Sequence, residues 1–260
     1  MVRKQLRVGQ IVPSSNTTME TEIPTMLRRH ADGADMTFHS SRMRMKKVTK
    51  EELAAMDAES DRCAIELSDA RVDVLGYACL VAIMSMGPGY HRISQSRLHQ
   101  RTIENGGPAP VITSAGALIE GLHTLGAKKI AVITPYMKPL TQLVVDYIEA
   151  EGIEVVDRIA LEIEDNLAVG RRDPLALVDI SSKVSLANVD VLVLSACVQM
   201  PSLEAIPLVE ARVGIPVVSA AACTAFRMLE ELGLDAQLPG AGALLSGQYA
   251  SGARRTATIA

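Results

Sequence analysis

The chain has 260 residues, of which 48% are hydrophobic and only 3% aromatic, and its formal net charge at pH 7 is -4. This length suits one large α/β unit or two packed lobes, and the apolar residues are those of buried parallel strands covered by helices. Basic residues are scattered apart from a short cluster at 42–50. This charge pattern argues against nucleic acid as a partner.

The N-terminus, the apolar runs and the cysteines argue against further classes of protein. The basic N-terminus leads into an apolar stretch that is too short and interrupted for a secretory signal. The longest apolar run, at 189–198, falls short of the ~20 residues that a membrane span needs. Four dispersed cysteines indicate neither a disulfide scaffold nor a metal site. We therefore expect a cytoplasmic protein with no membrane partner and no metal.

Short runs rich in β-branched residues predict seven strands, in chain order at 7–12, 72–77, 111–113, 129–134, 154–159, 189–195 and 217–219. Segments with a 3.6-residue apolar period predict helices between them, including 51–69, 118–125, 139–151, 174–186 and 224–232. Alternating strands and helices indicate right-handed crossovers and parallel sheets.

Three sequence patterns occur twice, in the same order. An apolar strand ending in proline recurs at 8–13 and 130–135, an Asp-to-Ala-Cys strand at 73–79 and 190–197, and a Pro-led strand at 110–115 and 216–221. The repetition indicates internal duplication. The predicted fold is therefore α/β with two pseudo-symmetric lobes, each a mostly parallel sheet flanked by helices. We expect lobe 1 to span 1–114, with the segment 221–260 packing back on it, and lobe 2 to span 115–220.

The duplicated Ala-Cys motifs end at Cys79 and Cys197. Ligands of parallel sheets bind beyond the carboxyl ends of the strands, so two facing lobes would bring both thiols into one inter-lobe cleft. A strand-to-helix junction can lower a thiol pKa from ~8.5 toward neutrality. A single cysteine is more often a small buried hydrophobe. The duplication favours chemistry for this pair, whereas Cys63 and Cys223 are expected to be structural.

Three polar residues follow predicted strands and suit an anionic ligand. Asn16 lies in a Pro-Ser-Ser-Asn-Thr-Thr loop after the first strand, and it could bind a carboxylate or cap the following helix. Tyr136 could donate its hydroxyl to a second carboxylate or pack within its loop. Asn166 could be a further donor, or a turn or cap residue.

The chain resembles a known family in five motifs: Val-Pro-Ser-Ser-Asn-Thr at 12–17, Tyr-Ala-Cys at 77–79, Thr-Pro-Tyr at 134–136, Glu-Asp-Asn at 164–166 and Ser-Ala-Cys-Val-Gln-Met-Pro at 195–201. Together they resemble maleate cis-trans isomerases of the aspartate/glutamate racemase superfamily, over essentially the whole chain. The resemblance implies two lobes that close over a small dicarboxylate. It also implies that Cys79 is the nucleophile, that Cys197 is its acid/base partner, and that Asn16, Tyr136 and Asn166 hold the carboxylates.

Two differences from related families narrow the choice of substrate and reaction. Amino-acid racemases typically carry an acid in the first loop, where this chain has Ser15 and Asn16, so the substrate is expected to lack an amino group. Arylmalonate decarboxylases resemble this fold but have glycine in place of the first cysteine. The presence of Cys79 therefore argues against decarboxylation.

The resemblance implies a mechanism without a cofactor. Cys79 would add to C2 of maleate, Cys197 would protonate C3, and rotation about the new single bond would precede the reverse steps that release fumarate. The charge that develops on the carboxylates would be stabilised by backbone N–H groups around Leu80, Val81, Val198 and Gln199.

Two alternatives stay open at the level of sequence. A racemase or epimerase of a small acid could use the same thiols to exchange a proton on opposite faces. A small-dicarboxylate binding module could close on its ligand without chemistry. The resemblance suggests a pathway that breaks down nicotinate or other aromatics, and a homodimer is the usual assembly of such sheets.

Overall fold

The computed structural model describes residues 5–31 and 35–249. Within them the chain forms eight strands: β1 (Leu6–Pro13), β2 (Met36–Met43), β3 (Val74–Tyr77), β4 (Val111–Thr113), β5 (Lys129–Thr134), β6 (Glu154–Ala160), β7 (Val191–Ser195) and β8 (Val217–Ser219). It also forms eleven α-helices: α1 (Met19–Leu27), α2 (Lys50–Ala58), α3 (Ser60–Asp69), α4 (Leu80–Ser85), α5 (Tyr90–Glu104), α6 (Ser114–Thr124), α7 (Lys138–Ala150), α8 (Asn166–Gly170), α9 (Ala176–Ile180), α10 (Ala205–Val213) and α11 (Ala220–Glu231).

The strands form two four-stranded parallel sheets with the same internal order. The first sheet runs β2-β1-β3-β4 and the second runs β6-β5-β7-β8. Both central strands β3 and β7 are buried along their whole length, as expected for strands covered by helices on both faces. The two-lobed parallel α/β fold is confirmed, and the matching strand order agrees with a duplicated chain.

Helix α11 lies against α1, α6 and strands β3 and β4, so the chain contacts the first sheet again after β8. Gly76 in β3 permits this close approach, because a Cβ there would overlap the terminal methyl of Met228 in α11. Strands β1 to β4 fall within 1–114 and strands β5 to β8 within 115–220. The lobe boundaries themselves stay a prediction. Residues 250–260 of the returning segment lie outside the described residues.

One observed strand was not predicted, and two predicted helices differ from those observed. Strand β2 was not predicted, because it is an edge strand that pairs only with β1 and its sequence has few β-branched residues. The predicted helix 51–69 is two helices, and at their junction the Ser60 hydroxyl donates to the Asp57 carbonyl, 2.6 Å away. The predicted helix 174–186 is reduced to α9 and a short 3-10 turn at Ser181–Lys183.

No helix in the described part of the chain is long and apolar enough to cross a membrane.

Candidate active site

A cavity between the lobes collects side chains from the carboxyl ends of both sheets. It is lined by Pro13, Asn16, Met45, Val48, Cys79, Leu80, Val81, Tyr136, Asn166, Cys197, Val198 and Gln199. All nine residues proposed from the sequence therefore meet at one place. Sequence reasoning did not assign Pro13, Met45 or Val48 to this cavity. Met45 and Val48 follow β2, so they could not be placed while that strand was unrecognised.

The two cysteines occupy equivalent positions in the two lobes. The backbone N–H of Ala78 donates to Ile11 O at 2.9 Å, and that of Ala196 donates to Ile133 O at 3.0 Å. Each bond extends a central strand to the residue before a cysteine. Cys79 then turns sharply, with φ of 136°, into the start of α4. A non-glycine residue seldom adopts this conformation.

Burial controls the ionisation of both thiols. Desolvation raises the pKa of Cys79 to about 12, and negative charge on Cys197 and Asp57 adds to the shift, while the N–H of Ala82 opposes it. Desolvation also raises the pKa of Cys197, against hydrogen bonds from Tyr136 and from backbone N–H groups. The net lowering expected at a strand-to-helix junction is not found at Cys79, because desolvation outweighs the N–H group of Ala82 in the first turn of α4. A thiolate at Cys197 opposes ionisation of Cys79, so the two thiols do not readily ionise together.

Asn16 combines the two roles considered for it. Its Oδ1 accepts hydrogen bonds from the N–H groups of Thr18, at 2.9 Å, and Met19, at 3.0 Å, and so caps helix α1. The side chain is 3% exposed and lines the cavity. Because the oxygen is engaged with the helix, the amide N–H groups are left for a ligand. The cap therefore orients Asn16 as a donor.

Tyr136 and Asn166 supply further donors from the second lobe. The Tyr136 hydroxyl donates to Ala196 O at 3.3 Å, and its proximity to Cys197 lowers the pKa of that thiol against the larger effect of burial. Burial raises the pKa of Tyr136 well above its usual value, so the hydroxyl stays protonated. Asn166 begins α8, and its Nδ2 donates to Ser15 Oγ at 2.8 Å. This bond crosses from the second lobe to the loop after β1.

Neutral donors dominate the cavity. None of the lining residues named above carries a formal charge at neutral pH in its side chain, apart from an ionised cysteine. Arg42 lies behind the first loop, where its Nη1 donates to the carbonyls of Ser14, at 2.9 Å, and Asn16, at 3.1 Å, and it pairs with Glu20. The described residues contain no group of three His, Cys, Asp or Glu side chains that could hold a metal ion.

Comparison with known proteins places this arrangement in a family. A sequence model of arylmalonate decarboxylase matches residues 8–245. Maleate isomerase from Pseudomonas putida is 66% identical over 245 residues, which cover 94% of this chain and 98% of that protein. The chain belongs to the maleate isomerases of the arylmalonate decarboxylase family. The resemblance stated from the sequence motifs is thereby confirmed.

Solved structures of maleate isomerases share the whole fold. A cysteine-to-alanine variant of the enzyme from Pseudomonas putida S16, with maleate, is 62% identical and superimposes with a TM-score of 0.91 over 95% of this chain and 99% of that one. A cysteine-to-serine mutant from Nocardia farcinica holds a covalently bound succinylcysteine intermediate. It is 47% identical, with a TM-score of 0.90 over 93% of this chain and 98% of that one.

Proposed function

We propose that this isomerase converts maleate into fumarate through a succinyl-cysteine intermediate at Cys79. The observation that carries the proposal is the pair of cysteines at equivalent strand ends, one from each lobe, in a single cavity lined by neutral hydrogen-bond donors. One thiolate can add to an activated double bond and leave again, while the other thiol donates a proton and removes it. The covalent intermediate of the Nocardia farcinica relative supports the same chemistry here.

The steps balance with the two thiols alone. An electron pair of the Cys79 thiolate forms a C–S bond at C2 of maleate, and the former π pair takes the proton of the Cys197 thiol at C3. The carbon–carbon bond is then single and rotates. Cys197, now a thiolate, removes a proton from C3, the double bond re-forms in the trans arrangement, and Cys79 leaves as a thiolate.

The neutral donors explain how a dianion can be held without a facing cation. Asn16 and Asn166 present amide groups, and Tyr136 presents a protonated hydroxyl. The segments 80–81 and 198–199, whose backbone N–H groups are proposed to stabilise the carboxylates, also line the cavity. Hydrogen bonds to carboxylate oxygens are strong when the site is desolvated. The cavity lining includes no acid that would accept an ammonium group, which favours maleate over an amino acid.

The direct test is to trap the intermediate. Wild-type protein and a Cys197→Ser variant are mixed with maleate, quenched during turnover, and mapped by peptide mass spectrometry. We expect a mass increase of one succinyl unit on the peptide that contains Cys79, enriched in the variant because the exit step is slowed. Cys63 and Cys223, which are buried, serve as internal controls and should stay unmodified.

Other outcomes would each revise a different part of the proposal. A succinyl label on Cys197 would reverse the roles of the two thiols. Fumarate formation without an adduct would remove covalent catalysis. Solvent deuterium entering the substrate without fumarate would indicate a racemase, and binding without any turnover would indicate a binding module.

We further propose a cytoplasmic homodimer that serves the breakdown of nicotinate or other aromatics. Four free cysteines, two of them assigned to catalysis, fit a reducing compartment. Twofold dimers are the commonest assembly of soluble proteins. Light scattering of the purified protein measures the assembly, and growth of a deletion strain on nicotinate tests the pathway.

A further inference from the structure

The side chain of Gln199 is fully occupied within the protein. Its Oε1 accepts hydrogen bonds from the backbone N–H groups of Thr17, at 2.9 Å, and Thr18, at 3.4 Å. Its Nε2 donates to the backbone carbonyls of Ser15, at 3.0 Å, and Asn166, at 2.9 Å. The side chain is 3% exposed. The carboxamide therefore has no remaining donor for a substrate, although the residue lines the cavity.

These bonds hold both peptide groups that adjoin Asn16. The Ser15 carbonyl belongs to the peptide before Asn16, and the Thr17 N–H belongs to the peptide after it. One rigid amide thus fixes the backbone on both sides of Asn16, and its second N–H fixes the carbonyl of Asn166. The hydroxyl of Thr18 also donates to Gln199 O at 2.7 Å, which anchors Gln199 to the same loop.

Gln199 breaks the symmetry of the two lobes. It stands two residues after Cys197, and the residue two positions after Cys79 is Val81, which has no hydrogen-bonding group in its side chain. Val81 therefore cannot make the hydrogen bonds that the Gln199 side chain makes to the opposite lobe. The fold that the two lobes share does not require this asymmetry. It therefore points to a role for Gln199 in the site itself.

We propose that Gln199 is a positioning residue, which holds Asn16 and Asn166 so that their amides meet the two carboxylates of the substrate. The inference rests on the proposed function in treating these asparagines as carboxylate ligands. Removing the carboxamide would leave backbone groups of the two loops unpaired and free to turn away. Binding of an anionic substrate should then weaken. The intrinsic reactivity of the Cys79 thiol should change less.

Gly170 supplies an independent way to disturb the carboxamide. It ends α8, and a Cβ at this position would lie 2.5 Å from Gln199 Nε2. Gly170→Ala would therefore push the amide out of place without removing it. The backbone of Gly170 is not in the left-handed region, so alanine adds a steric effect and no backbone strain.

The experiment compares an anionic and a neutral alkylating reagent on Cys79. The inactivation rate constants for iodoacetate and iodoacetamide are measured at one pH, with the label mapped to Cys79 and the rates normalised to glutathione. Gln199→Met and Gly170→Ala are expected to lower the iodoacetate-to-iodoacetamide ratio about tenfold, equivalent to about 1.4 kcal/mol, within the range for buried unpaired polar groups. The KM for maleate should rise by a similar factor, with a smaller change in kcat. Gln142→Met, at an exposed position on α7, is the matched control and should change neither value.

Other results would overturn the inference. A folded Gln199→Met variant with an unchanged ratio, or with equal changes for both reagents, would assign the residue a structural role only. If Gln199→Met does not fold, Gly170→Ala decides, and an unchanged ratio or failure to fold in that variant also overturns the proposal. The ratio requires no turnover, so a wild-type protein that makes no fumarate would contradict the proposed function separately.

Discussion

Replacing Asp57 by alanine is expected to destabilise the first lobe beneath Cys79. The carboxylate of Asp57, on α2, accepts hydrogen bonds from Tyr77 Oη at 2.9 Å, Tyr90 Oη at 2.7 Å and Arg97 Nη2 at 3.1 Å. Asp57 is 2% exposed and Tyr77 is fully buried. Tyr77 ends β3, two residues before Cys79, so this cluster ties α2 and α5 to the strand that carries the thiol.

The size of the effect follows from the groups that would be left unpaired. Breaking a buried ion pair by removing one partner costs about 3–5 kcal/mol. The Arg97 side chain is 31% exposed and keeps Asp61 as a second ion-pair partner, so the cost of its lost pair lies at the lower end of that range. The Tyr77 hydroxyl cannot recover water and adds to the cost. We expect a loss of about 3–4 kcal/mol, which lowers Tm by roughly 6–16 °C for a chain of this size.

Thermal unfolding followed by circular dichroism provides the measurement. Tyr90→Phe is the matched control, since it removes the two hydrogen bonds of the Tyr90 hydroxyl, one donated to Asp57 and one accepted from Arg97, and leaves the charge pair intact. It should cost about 1–2 kcal/mol. Asp57→Asn, which retains an acceptor oxygen, should fall between the two variants. An Asp57→Ala protein that melts within about 2 °C of wild type would refute the reasoning.

Three further predictions concern the thiols and a buried acid. Cys79→Ala should abolish fumarate formation because no adduct can form, and substantial turnover by this variant would contradict the mechanism. Cys197→Ala should still bind maleate in calorimetry, while its turnover falls. Because burial raises the pKa of Cys79 to about 12, kcat/KM should increase as the pH is raised above neutrality, and a flat profile would disagree. Burial also raises the pKa of Glu22, so the stability from its protonated form is present at low pH and is lost as the pH rises through the folded-state pKa. Glu22→Gln cannot ionise and keeps an acceptor for the N–H groups of Ser202 and Leu203, so denaturant unfolding at neutral pH should show stability equal to or above wild type.

The duplicated sheets were predictable because their central strands are buried on both faces and read as continuous apolar runs. The edge strand β2 was not, since an edge strand with one neighbour needs fewer β-branched residues, and its polar positions such as Ser40 and Arg42 face outward. The extent of helix 51–69 was overestimated because periodicity continues across the junction at Glu59 while the backbone hydrogen bonds do not.

The membership of the candidate site was predictable from strand ends, but its internal bonding was not. Residues that follow parallel strands must meet at one edge, which gathers Cys79, Cys197, Asn16, Tyr136 and Asn166 without any knowledge of side-chain contacts. The amides of Asn166 and Gln199 are oriented by partners distant in sequence, such as Ser15. The same limit applies to the thiol pKa values, because a local helix is visible in sequence and the depth of burial is not.

The backbone at Cys79 has a consequence for how such sites change during evolution. With φ of 136°, this position holds a side chain in a conformation that glycine adopts freely, at a strain of about 1–3 kcal/mol. A mutation to glycine would relieve that strain but would delete the thiol. Selection for stability therefore favours glycine at this position, whereas selection for activity favours cysteine. In a lineage where the first thiol is no longer needed, the backbone at this position already has a conformation that suits glycine.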